Sequence, residues 1–145
     1  MFATKTIITA CKADQVWNLL TNISEWPRWN PDIQKVTMTL PFSLSARGAI
    51  FFRQGWRTKF TITQYVPGSS YTISFKNLLA DVHIHRFIGY HNHKTTITNE
   101  IWAEGVLSQI WWSLFSSAHL RMLDEELMLL GEMMRDPKIK NAYSA

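Results

Sequence analysis

His119 is the side chain in this chain best suited by type to do chemistry. It lies in a run free of Gly and Pro, with Ser116 three residues before it and Trp112 seven before it. An imidazole titrates near neutrality and can give a proton to, or take one from, a bound ketone or hydroxyl. The plainer reading is a core histidine bonded to a strand side chain or a water. A second group of interest is Gln64, Tyr71, Arg86 and Asn99, each a polar residue at an inward position of a strand-like segment. Pairing the segments places Tyr71 opposite Arg86 and aligns all four in one row. Burying a guanidinium without partners is costly. Arg86 therefore either bonds its neighbours or faces a solvated or ligand-filled cavity, whose polar floor would orient a ligand carrying oxygen atoms.

Two other constellations are weaker. His83 and His85 alternate along a strand, with His85 opposite Glu100, and two histidines with a carboxylate can ligate a metal. Their face is the outer one and no third ligand is fixed by spacing, so surface histidines with a cross-strand ion pair are expected, and neither metal nor cofactor. Cys11 is the single cysteine, which fits a buried free thiol in a reducing compartment.

The elements that must position these residues follow from periodicity. Phe2–Ala10 is rich in Thr and Ile and reads as a first strand. Ala13–Leu20 is a short helix burying Val16, Trp17, Leu19 and Leu20. Asn22–Asn30 is a second short helical piece with Ser24 as N-cap and Pro27 in its first turn. The period then changes from helical to alternating, giving strands at Ile33–Leu40, Ala49–Arg53, Trp56–Val66, Ser70–Asn77, Asp81–His91 and Lys94–Glu104. Short links such as Gln54-Gly55, Pro67-Gly68 and Asn92-His93 make neighbouring strands antiparallel. Centring hairpins on those links puts Ala49 and Phe51 on one face with Trp56 and Phe60. It also sets Phe60, Ile62 and Gln64 against Phe75, Ile73 and Tyr71, and Ile84, Arg86 and Ile88 against Ile101, Asn99 and Ile97.

From about Val106 to Arg135 the sequence predicts a long helix. One apolar stripe, Trp112, Ser116, His119, Leu120, Leu123, Leu127, Leu130 and Met134, would face the sheet. A second, holding Leu107, Trp111, Leu114, Phe115 and Met122, marks the helix start as a possible homodimer surface. The fold class is thus α+β, a seven-stranded curved antiparallel sheet wrapped around a long C-terminal helix, with two short helices after strand one. Residues 1–145 form one domain, and 136–145 read as a loosely ordered tail.

The net charge of +4 is spread along the chain rather than clustered, so no nucleic-acid footprint is expected. The longest apolar run, near Val106–Leu120, is too short and too polar for a transmembrane segment. The first ten residues lack an apolar signal region, and a cytoplasmic protein is expected. Seven tryptophans suit a domain that encloses a cavity, and suit a densely filled core equally.

Asp14-x-Val16-Trp17-Asn18-Leu19-Leu20, followed by Trp26-Pro27-x-Trp29-Asn30-Pro31, resembles the opening of SRPBCC proteins, the START-like, polyketide-cyclase-like members of the birch-pollen-allergen superfamily. Thr63-Gln64-Tyr65-x-Pro67 and Glu104-Gly105-x-Leu107 also fit. The resemblance covers nearly the whole chain and implies the helix-grip fold, with a hydrophobic cavity between sheet and long helix. It implies a small hydrophobic partner, lipid- or polyketide-like, which is bound or transported, or alternatively acted on by a cyclase or dehydratase. It carries no shared catalytic motif, so His119 stands as the best catalytic candidate. The expected ligand-binding residues are Trp56, Phe60, Gln64, Tyr71, Ile73, Arg86, Asn99, Trp112, Ser116 and His119.

Overall fold

Strict apolar–polar alternation between Ile33 and Glu104 builds a sheet with one face available for burial, and the chain closes it with an N-terminal strand. The computed structural model describes residues 2–135; the expected tail, 136–145, lies outside the described residues. Strands β1 (Phe2–Thr9), β2 (Ile33–Met38), β3 (Arg47–Phe52), β4 (Arg57–Val66), β5 (Ser70–Lys76), β6 (Asp81–His91) and β7 (Lys94–Glu104) form one antiparallel sheet, ordered β1-β7-β6-β5-β4-β3-β2. Helix α1 (Ala13–Thr21) follows β1, and a 3-10 turn, Ile23–Glu25, leads into α2 (Trp26–Trp29). The turn is capped by Asn22, whose Oδ1 accepts from the Ser24 amide at 3.3 Å, so Asn22 takes the role expected of Ser24. Helix α3 (Ser108–Arg135) crosses the concave face and packs on β1, β7 and α2. This is the expected helix-grip arrangement.

The β6–β7 hairpin has the expected register, with Ile84, Arg86 and Ile88 opposite Ile101, Asn99 and Ile97. Tyr71 stands opposite Arg86 as expected. Two other registers differ from the sequence reading. In β3–β4 the pairing is shifted by one, with Gly48 opposite Phe60 and Ile50 opposite Thr58. A one-residue slip exchanges the two faces of a strand. Ile50 therefore points inward in place of Ala49 and Phe51, and is buried. In β4–β5 the register shifts between Ile62 and Gln64, so Gln64 pairs with Thr72 and Tyr65 with Tyr71. The extra residue of this bulge sends Gln64 to the outer face and brings Tyr65 inward.

The interior is divided into two apolar clusters. The larger joins α1, α2, the middle strands and the C-terminal half of α3, with Leu19, Leu20, Trp26, Trp29, Ile62 and Leu130 at its centre. The smaller holds Val82, Ile84, Ile101, Ala103, Trp111 and Leu123, with Phe75 touching both. Trp111, not Trp112, is the fully buried tryptophan at the start of α3. A straight helix over a twisted sheet meets it along a line that drifts around the helix, so the contact face near Trp111 differs from that at Leu130.

Candidate functional site

On the concave face a buried ion pair joins sheet to helix. Arg86 Nη2 donates to Glu126 Oε2 at 2.5 Å, and the two residues are only 3% and 2% exposed. Arg86 Nε donates to Asn99 Oδ1 and Nη1 to Tyr71 Oη, both at 3.1 Å. Asn30 Nδ2 donates to Glu126 Oε1 at 2.5 Å, and the Tyr71 hydroxyl donates to the Leu20 carbonyl at 3.2 Å. The guanidinium also lies 4.7 Å from the Trp29 ring centre, a desolvated cation–π contact. The row Tyr71–Arg86–Asn99 is therefore real, with Arg86 bonding both of its neighbours as well as Glu126.

Charge behaves accordingly. Burial pushes the Glu126 carboxyl up, while Arg86 and Asn30 pull it back. Burial works against the Arg86 guanidinium, and Glu126 and Tyr71 outweigh it, so its pKa is raised. A guanidinium keeps its proton across the working range, and it needs its carboxylate partner. Burial likewise raises the Tyr71 hydroxyl, against the pull of Arg86. Two buried donors, Trp29 Nε1 and Asn99 Nδ2, have no hydrogen-bond partner among the described residues.

His119 lies elsewhere, over the smaller cluster. Its ring is edge-on to Trp111 at 4.9 Å and stacked near Phe75 at 6.4 Å, and its Nδ1 is 3.1 Å from the Phe115 carbonyl. Burial lowers its pKa, against the opposing pull of that carbonyl bond. Of the helix face turned to the sheet it is Glu126, and neither Ser116 nor His119 of the expected stripe, that meets Arg86. Glu126 shares the stripe of Leu123, Leu127 and Leu130, and that lone carboxylate was the signal in the sequence that could have named it. Both Trp112 and Ser116 are partly exposed on the first half of α3. Around them Leu107, Ile110, Leu114 and Phe115 are exposed, Leu114 to 62%.

A cleft lies where two central strands part. Ladder pairing between β4 and β5 begins at Thr61–Ser74, so Arg57–Phe60 and Phe75–Lys76 do not pair with each other. There a cleft of about 700 Å³ is lined by residues of both faces, Phe60 and Phe75 from the inner side, and Thr61, Thr63, Ser74 and His83 from the outer. Its flanks carry Arg47, Lys59, Lys76 and Asp81. The tip of the Phe60 ring abuts Gly48: a Cβ there would come within 2.6 Å of the ring and 2.4 Å of the Thr37 carbonyl oxygen. On the outer wall Thr63 Oγ1 and Ser74 Oγ lie 2.6 Å apart, and Ser74 Oγ is 2.6 Å from His83 Nδ1. His85 stands opposite Glu100 as expected, but the carboxylate within reach of a histidine is that of Glu104, whose Oε2 lies 3.5 Å from His83 Nε2. His85 bonds Thr72 at 2.8 Å. Among the described residues no cluster of three His, Cys, Asp or Glu is arranged to hold a metal.

Of the residues expected to line a pocket, the structure brings Tyr71, Arg86 and Asn99 together in the buried network. Phe60 lies at the cleft, and Ile73 is buried in the main core between Ile62 and Ile84. Gln64 is displaced by the bulge and bonds Ser70 on the outer face at 2.9 Å. Trp56 precedes β4, is 52% exposed and stacks on Phe52 at 4.1 Å, outside the lining of the cleft. Cys11 is buried, its Sγ donating to the Met134 carbonyl at 3.2 Å.

Among solved structures, StfQ, the di-domain ARO/CYC of the steffimycin biosynthetic pathway, is similar over 90% of this chain and 49% of its own, with a TM-score of 0.73 and 12% identity. DynU16, from the dynemicin biosynthetic locus, is similar over 96% of this chain and 49% of its own, with a TM-score of 0.70 and 12% identity. XoxI from Bacillus cereus is similar over 94% of this chain and 97% of its own, with a TM-score of 0.71 and 15% identity. The chain thus spans about half the length of StfQ and DynU16, and at such identities the likeness is one of fold. No curated protein matches the chain. Residues 3–121 match the family model for polyketide cyclase/dehydrase and lipid transport proteins, and with the helix-grip sheet this settles the kinship: the chain belongs to that family.

Proposed function

We propose that this protein binds a small hydrophobic molecule, taken up at the splayed end of β4 and β5. The observation that carries the reading is the cleft of about 700 Å³ beside Phe60 and Phe75, within the size range of small-molecule sites. Family membership supports it, since the family includes lipid transport proteins. Phe75 reaches both apolar clusters, so an apolar body in the cleft would extend the existing core. The cyclase alternative has less support. It needs His119, Tyr71 and Arg86 to converge on one substrate position, yet Tyr71 and Arg86 are taken up by Glu126, Asn99 and Leu20.

The test is titration with N-phenyl-1-naphthylamine, a neutral fluorescent probe. Saturable binding of one probe per chain is expected, weakened severalfold by Phe75→Ala with folding verified by circular dichroism. Linear, non-saturating uptake by the wild type would overturn the reading.

A further inference from the structure

We infer that the molecule taken by the β4–β5 cleft is an amphipathic anion, with its tail against Phe60 and Phe75 and its acidic head on the outer rim. This rests on the proposed binding function and adds its chemical class. Alternation of side chains sorts the lining into two layers. The phenylalanines belong to the inner face, while Arg47, Lys59, Thr61, Ser74 and Lys76 belong to the outer. A neutral apolar ligand would need only the first layer.

The rim is electrostatically unbalanced. Asp81 is the one carboxylate of the lining and stands opposite Lys76 in the β5–β6 register, so it offsets that cation. Arg47 and Lys59 remain, and among the described residues neither takes part in an ion pair. They belong to adjacent strands, on the outer face beside the place where β4 and β5 part. Two uncompensated cations beside a mouth floored by hydroxyls favour a carboxylate or similar anion, which accepts hydrogen bonds from both. The wall supplies such hydroxyls in Thr61, Thr63 and Ser74. The sheet parting places apolar rings and cations within one opening, whereas an unbroken sheet would keep its two faces apart.

The experiment compares dodecanoate with dodecanol, identical in tail and different in head, each below its aggregation limit and at a pH where the acid is ionised. Binding is read from intrinsic tryptophan fluorescence and confirmed by calorimetry. Dodecanoate is expected to bind about tenfold more tightly, the equivalent of ~1.4 kcal/mol. Added salt should narrow the gap, because the rim is exposed. The Arg47→Gln, Lys59→Gln double variant should reduce dodecanoate binding to the level of dodecanol and leave dodecanol unchanged. Equal affinities in the wild type would overturn the anion assignment while leaving apolar binding intact. Binding of neither molecule would overturn both. A double variant that keeps the full preference for dodecanoate would show that the rim cations do not select the head.

Discussion

The two halves of α3 meet the sheet in different ways. From Leu123 onward the helix is sealed: Glu126 reaches Arg86, Asn30 reaches Glu126, and Leu127, Leu130 and Met134 enter a core shared with α1 and α2. Before Leu123 only Trp111 is anchored deeply, while Leu114 and Phe115 stay exposed at 62% and 43%. The cleft belongs with this first half, because Phe75, which lines it, stacks on His119. One half of the helix holds the fold, and the other stands beside the part of the sheet that is open. Local stability is not uniform in such a molecule, and binding elements are drawn from its less tightly held parts.

The largest expected effect lies in the sealed half. Glu126→Ala leaves Arg86 buried without its carboxylate and should cost about 3–5 kcal/mol, measured by urea unfolding. Arg86→Met combined with Glu126→Leu should recover most of that loss, since an apolar pair of similar volume can replace a buried ion pair. A single-variant loss under about 1 kcal/mol would mean the pair lies in a wetter place than its burial indicates.

A smaller contrast separates the halves through one kind of residue. Leu130→Ala removes a fully buried side chain and should cost about 2–5 kcal/mol. Leu114→Ala, on the exposed stripe, should change stability by no more than about 0.5 kcal/mol. A large loss at Leu114 would show that something covers the helix start in solution, as the homodimer expectation holds. Light scattering on the same samples distinguishes a second copy of the chain from a change within one.

How far the sequence could be read follows the same division. The β6–β7 hairpin turns at Asn92-His93, both with positive φ, and strict alternation on either side made its register and the Tyr71–Arg86–Asn99 row legible. Gln64 was misplaced because a bulge adds one residue without a Gly or Pro to announce it. Ala49 and Phe51 were misplaced because the β3–β4 loop runs one residue off the centre that Gln54-Gly55 suggested. Glu126 was legible in principle, since a carboxylate in line with Leu123, Leu127 and Leu130 must find a cation or stay neutral. The cleft was not legible at all. Alternation at Phe60 and Phe75 fits a continuous ladder, and nothing in the residue types records that the strands part.

The subtlest test concerns His119, at the border between the halves. Burial against Trp111 and Phe75 holds its pKa below the ordinary 6.5, with the Phe115 carbonyl pulling the other way. The folded state therefore prefers neutral imidazole, while the unfolded chain protonates near 6.5. The stability this residue contributes is present above that value and is lost as the pH falls through it toward the lower folded-state value. Urea midpoints measured across the mildly acidic range should thus fall for the wild type more than for His119→Gln. The difference between the two curves cancels the contributions of the other four histidines, provided these lie far enough away to act independently. Dodecanoate adds a second arm. If the ligand tail reaches Phe75, its binding should bury His119 further and widen the difference between the curves. An unchanged difference would confine the ligand to the outer rim, away from α3.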